Sequence, residues 1–156
     1  MTPLARALLL GAATGLRTFM GAAWWSGARE AARGSVTRAA PVERLLERDG
    51  VALGMRVAAA AELVGDKLPF APDRIAPGPL AARALMGGLL GWAAAGDARA
   101  SRLAACATGA AAAVASAYGG YWARRLITEA GAPDLAVAGA EDSIAVALAA
   151  AGSRNG

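Results

Sequence analysis

The chain of 156 residues has no histidine and a single cysteine, Cys106. No disulfide can form within it. Zinc sites of the usual Cys/His type are excluded, and so are Ser-His-Asp and Cys-His catalysis. Lysine is nearly missing too: Lys67 is the only one, and every other basic side chain is arginine. Aromatic residues are 5% of the chain. A polar majority is also lacking. Hydrophobic residues are 56% and the mean hydropathy is +0.40, against about 45–50% apolar for an ordinary soluble domain. The excess is alanine and leucine, with 20 glycines. Small residues let helices approach closely in lipid, where leucine gains nothing by leaving the hydrocarbon.

The net charge is +4 and the pI near 10.2. A basic chain raises nucleic acid as a partner. The arginines, however, lie mostly between apolar runs, as they do in membrane proteins. Nucleic-acid binding is therefore not expected, and membrane lipid is.

Five apolar runs can be read. Residues 3–26 predict a first helix long enough to span a bilayer, at roughly 20 residues per span. The run is too long for a signal peptide, and Arg17 stands in its middle. Gly11 and Gly15 form a GxxxG pair, and Trp24 and Trp25 fall where an interfacial aromatic belt would lie. Residues 27–50 read as a polar loop, with a short surface helix over 41–48 placing Val42, Leu45 and Leu46 on one side. Residues 51–68 form the second run, which crosses with tilt or re-enters and turns back. Pro69 ends it, and prolines between 70 and 79 predict an ordered connection. The third run, 80–96, has Pro79 in its first turn and a small face of Gly87, Gly88 and Gly91. Its Arg83 is expected to snorkel or to reach Asp73. The fourth, 103–122, carries no charge and packs Cys106 as a small residue. The fifth, 135–151, has Asp134 as a candidate N-cap and is interrupted by Glu141 and Asp142. The expected fold is all-α: a single membrane domain over 1–156, a polytopic bundle of about five spans.

The central stretch is Glu62-Leu63-Val64-Gly65-Asp66-Lys67-Leu68-Pro69. On a helix Glu62 and Asp66 share a face. Charges within spans are costly and usually face a bundle interior or a water-filled cavity. The candidate site for a substrate, ion or proton is therefore Arg17, Glu62, Asp66, Lys67, Glu141 and Asp142. Arg17 is read as an internal salt bridge in preference to a snorkelling side chain. Two neighbouring acids cannot both ionise easily, so the set can act as a proton relay, with Arg17 as counter-ion or as anchor for an anionic substrate. The competing reading is a salt-bridge cluster that fixes helix register. Helix packing is assigned to Gly11, Gly15, Gly87, Gly91 and Gly119. No metal and no cofactor is implied.

An internal repeat is suggested by spacing. Gly11-Ala12-Ala13, Gly21 and Trp24 match Gly109-Ala110-Ala111, Gly119 and Trp122. Ala61-Glu62 matches Ala140-Glu141. Half-repeats 3–69 and 103–152, joined by helix 80–96, would have opposite orientations across five spans. That is the inverted topology common in transporters. The loop 27–50 and the C-terminus would share the arginine-rich, cytoplasmic side.

Several motifs together resemble a bacterial family known as domain of unknown function 4126. They are Ala13-Thr14-Gly15-Leu16-Arg17-Thr18, the Glu62–Pro69 stretch, Pro77-Gly78-Pro79-Leu80-Ala81-Ala82-Arg83, Gly119-Gly120-Tyr121-Trp122-Ala123-Arg124-Arg125, and Pro133-Asp134-Leu135 with Glu141-Asp142. Two positions depart from the family pattern. Gly65 stands where alanine is usual, and Trp122 where a histidine often precedes the paired arginines. The resemblance implies a small multi-pass protein of the bacterial inner (cytoplasmic) membrane and supplies no reaction.

Three functional expectations follow. The first is a small transporter or channel-like protein, open to proton coupling, moving an ion, a small solute or a lipid headgroup, with homodimerisation through the glycine faces. The second is a structural or interaction subunit of a membrane complex. The third, ranked last, is a lipid-modifying membrane enzyme; no nucleophile or phosphate loop supports it, so the chain is read as a non-enzyme.

Overall fold

The computed structural model describes residues 1–31, 41–46, 48–65, 75–95 and 99–154. Among them every element is a helix. In chain order these are α1 (Pro3–Leu16), α2 (Met20–Ala31), α3 (Pro41–Leu46), α4 (Asp49–Gly65), α5 (Pro77–Ala94), α6 (Arg99–Glu129) and α7 (Asp134–Ser153).

The first apolar run is not one helix. It breaks at Arg17, whose backbone is extended (φ −140°, ψ 113°), and the chain reverses. Gly21 then lies against Thr14 and Leu10 of α1. Further along, the Trp25 ring carries the Arg6 guanidinium at 5.0 Å. α1 and α2 thus form a helical hairpin with its tip at Arg17-Thr18-Phe19. At 14 and 12 residues, its arms are only about 21 and 18 Å long.

The core is built on glycine. A Cβ on Gly11 would fall on the backbone of Gly109, and one on Gly15 would fall on Ala113 and Ser116. These pairs rise together in number, so α1 and α6 run the same way. The Ser116 hydroxyl donates to the Ala12 carbonyl at 2.8 Å across this seam. On its other side α6 meets α5 antiparallel: Gly87 faces Gly109, and Gly91 faces Ala105. A Cβ on Gly87 would stand 2.6 Å from the Gly109 oxygen. Gly109 is where α1, α5 and α6 converge. Four of the assigned packing glycines (Gly11, Gly15, Gly87 and Gly91) are thereby engaged inside the chain, and none of the four is left for a second copy. Gly119 is not a packing residue, because a Cβ there meets open space.

The parallel course of α1 and α6 corrects the inverted repeat. The two sets of matched residues do pack on each other at Gly11 and Gly109, but in the same direction. The hairpin adds one reversal of the chain and changes the parity.

One end of the bundle gathers the start of α1 with the ends of α5 and α7. Ala7 clusters with Ala95 and Ala105, and the Arg6 side chain donates to the Gly152 carbonyl at 3.2 Å. The end of α2 is there too, with Arg29 on the other side of Trp25 at 5.2 Å. Trp25 is accordingly buried and is no interfacial anchor, whereas Trp24 is 42% exposed. In α3, Leu46 is buried and Leu45 exposed, so the two do not share the side that the sequence assigns them. Asp134 opens α7, but the cap position belongs to Pro133. The Asp134 carboxylate instead takes a two-pronged ion pair from Arg124, at 2.8 and 2.7 Å.

The interior is mostly alanine and glycine, while the large apolar side chains face outward. Leu53, Leu85, Leu103, Trp122, Leu126, Leu135 and Ile144 are all at least half exposed. Two helices are long and apolar enough to cross a membrane: Ser101–Glu129 and Asp134–Ser153. α1 is apolar but shorter.

Candidate functional site

The tip of the hairpin is where the charged residues meet. Where α1 stops at Leu16 and α2 starts at Met20, the Arg17 N–H still donates to the Ala13 carbonyl at 2.9 Å, but the N–H groups of Thr18 and Phe19 need acceptors from outside the helices. Here the acceptor is a carboxylate. Glu62, near the end of α4, accepts from the Thr18 N–H at 2.7 Å and from the Phe19 N–H at 3.1 Å, one bond to each oxygen. These amides open α2, so the carboxylate also sits at the positive end of that helix. Arg83 of α5 reaches the same carboxylate at 3.4 Å.

Arg17 points the other way, into α7. Its Nε and Nη2 both lie on one oxygen of Asp142, at 2.6 and 2.5 Å. Arg17 is 2% exposed and Asp142 22%, so the internal salt bridge expected for Arg17 is present. Arg83, 3% exposed, is internal as well and does not snorkel; its alternative partner Asp73 lies outside the described residues. The sequence reading left Arg83 out of the site. Its signal is present in the sequence, because an arginine within an apolar helix needs an acidic partner and Glu62 stands in the apolar run before it.

Glu141 precedes Asp142 on α7 and is 8% exposed. It lines a pocket of about 270 Å³ between α6 and α7, floored by Leu16 at the end of α1. Arg17, Glu62, Glu141 and Asp142 are thus gathered around the tip, with Arg83 added. Asp66 and Lys67 lie outside the described residues. So does the shared face expected of Glu62 and Asp66; α4 itself runs unbroken to Gly65.

Depth follows from the helix numbering. Glu141 and Arg83 lie about two turns in from the starts of α7 and α5, or about 10 Å at 1.5 Å per residue. The cluster is inside the bundle, nearer the end that carries Arg124 and the turn before α7. It is not at the centre.

A second, larger pocket lies at the opposite end, between α2, α4 and α7. It is lined by Trp24, Gly27, Arg56, Ser153 and Arg154, among others. Arg56 there is paired with Glu30, and both side chains are substantially exposed.

Searches for similarity found nothing: no family model matches the chain, and no curated protein or solved structure is detectably related to it.

Proposed function

We propose that this is a small multi-pass membrane protein whose hairpin α1–α2 is re-entrant, and that the charged tip of the hairpin is a site for moving an ion, proton or small solute. α4, α5, α6 and α7 would be the crossing helices. The observation that carries the reading is the broken backbone at Arg17-Thr18-Phe19, held within the bundle by the Glu62 carboxylate. Interrupted helices at membrane depth occur where backbone is buried in protein or lines a cavity, and transporters place their sites at such breaks. The outward leucines and inward alanines support a lipid surround, since a water-soluble fold buries its largest apolar side chains first.

This arrangement puts both ends of the described chain on one side. Among the described residues that side holds Arg6, Arg29, Arg44, Arg48, Arg102 and Arg154, against Arg124 and Arg125 on the other. The positive-inside bias then places it in the cytoplasm. Placement in the domain of unknown function 4126 family, and in a bacterial inner membrane, rests on the motif residues alone.

The second reading, a structural or interaction subunit, is favoured by the close pairing of Arg17 with Asp142 and of Arg83 with Glu62. Reconstituted vesicles separate the two. Transport requires that folded Glu62→Gln and Glu141→Gln proteins lose most of the proton or solute flux of the unaltered protein. Normal flux in both would leave the structural role.

A further inference from the structure

The larger pocket, between α2, α4 and α7, contains a hydroxyl that the fold leaves unused. Thr14, Thr108, Thr128 and Ser143 each donate to the carbonyl four residues back, all at 2.8 Å. That bond is how a hydroxyl inside a helix is ordinarily satisfied. Ser153, in the last turn of α7, does not make it. The residue is 3% exposed, and its Oγ is buried without a hydrogen-bond partner among the described residues. Leaving a buried polar atom unpaired is costly. Ser153 is also one of the residues lining the pocket, so a donor that lacks an acceptor stands in the wall of a cavity.

The rest of the wall says which acceptor fits. The cavity is open, with a volume of about 730 Å³, within the range of about 300–1,000 Å³ common for small-molecule sites. Part of it is apolar: Ala23, Trp24 and Ala150. Another part is basic. Arg154 directly follows Ser153, is exposed, and has no acidic partner among the described residues. Arg56 gives its Nη2 to Glu30 and keeps its other nitrogens outside that pair. An organic cation would be repelled by the guanidiniums. A purely apolar occupant would leave the Ser153 hydroxyl unpaired. A phosphate ester answers both features, because its oxygens accept from a hydroxyl and from guanidinium groups. The surroundings suit a lipid ester better than a soluble one. Leu53 and Val57 share a face of α4 with Arg56 and are 61% and 59% exposed, so an acyl chain leaving the pocket has apolar surface to follow. Arg56 and Ser153 both stand within about two turns of the arginine-rich end of the bundle, close to headgroup depth. A zwitterionic headgroup would bring its ammonium against Arg56 and Arg154; an anionic one would not.

We infer that this pocket binds an anionic phospholipid, its phosphate on the Ser153 hydroxyl and the Arg154 and Arg56 side chains, and the start of its acyl chains along Trp24 and Ala23. Ser153 reaches the phosphate by moving to another staggered rotamer. Basic pockets between membrane helices on the cytoplasmic side hold headgroups of this kind. This site depends on the membrane reading and is independent of transport. The lipid joins α2, α4 and α7 at the end opposite the hairpin tip.

The test is calorimetric titration of the full chain, purified in an uncharged detergent, with dioctanoylphosphatidylglycerol. Dioctanoylphosphatidylcholine and glycerophosphate are the comparison probes. The phosphatidylglycerol binds saturably, and the other two bind more weakly by roughly tenfold. Ser153→Ala weakens the binding by roughly fivefold to tenfold, as loss of a hydrogen bond to a charged group would, and Arg154→Gln by roughly fivefold. Ser153→Ala removes an unpaired hydroxyl and so folds at least as well as the unaltered protein. Unchanged binding to that variant would reduce the effect to general attraction by arginines and overturn the site. Gly27→Leu fills the pocket, where the nearest atom to a new Cβ is Arg56 Nη2 at 3.9 Å, and abolishes saturable binding. No saturable binding to the unaltered protein overturns the inference as well. Equal binding of glycerophosphate would assign the pocket to a soluble ester and overturn the lipid. A protein that stays in solution without detergent removes the membrane reading and this site together, whereas a detergent-dependent protein that fails the titration loses the site alone.

Discussion

The carboxylate of Glu62 accepts the backbone N–H of Thr18 at 2.7 Å, joining residues 44 apart in sequence. That bond does what a neighbouring side chain does at most helix starts. It comes from another helix, so the shape of the hairpin tip depends on tertiary packing. Replacing Glu62 should therefore destabilise the whole bundle. Glu62→Ala removes a carboxylate from two amides and leaves Arg83 buried beside a gap, at a cost of roughly 3–5 kcal/mol. Glu62→Gln keeps an acceptor and should cost less. Melting in detergent measures both, and an unchanged midpoint for Glu62→Ala would mean that the hairpin holds itself.

Arg17 and Asp142 should behave as a coupled pair. Arg17→Gln or Asp142→Asn alone leaves a buried charge without its nearest partner. The double variant should lose less than the sum of the two, by about 0.5–3 kcal/mol. Additive losses in a double-mutant cycle would show that the 2.5 Å contact carries no specific energy.

The glycines divide into two kinds. Gly11→Leu and Gly109→Leu place a side chain on opposing backbone that cannot move aside, so neither variant should give a monodisperse protein on gel filtration. Gly119→Ala meets open space in the middle of a helix and should raise stability by up to about 0.5–1 kcal/mol. Equal tolerance at Gly11 and Gly119 would contradict the seam between α1 and α6.

Topology offers a check that needs no activity. Reporter domains fused before Met1 and after the last residue should report the same side of the membrane, and one inserted at Gly131 the other. Termini on opposite sides would restore a first run that crosses completely.

Several parts of this fold are legible in the sequence because they depend on local chemistry. α5 starts at Pro77 and α7 at Asp134, close to where the prolines and the first-turn acid put them. Gly11, Gly15, Gly87 and Gly91 at four-residue spacing mark the close helix faces correctly. Arg17 is internal, as an arginine in the middle of an apolar run has to be. The break at Arg17 is a different matter. Nothing between Thr14 and Ala22 forbids a continuous helix; the bend is decided by acceptors on α4 and α7, remote in the chain. The same holds for Arg83, whose partner is set by how α4 meets α5. Gly119 shows the converse limit, since a glycine that opens a groove and one that closes a seam look alike in sequence.

The order of synthesis gives the Arg17–Asp142 pair one more consequence. The hairpin leaves the ribosome well before α7, and the Asp142 carboxylate that pairs with Arg17 follows it by 125 residues. In the membrane reading, an arginine inside the bilayer costs about 2.5–3.5 kcal/mol while its pair with Asp142 is unmade, and α1 lacks its seam until α6 follows. α1 and α2 therefore settle only after the helices that follow them. In the membrane reading, the N-terminal segment waits at the interface and is drawn into place when the C-terminal pair has been inserted.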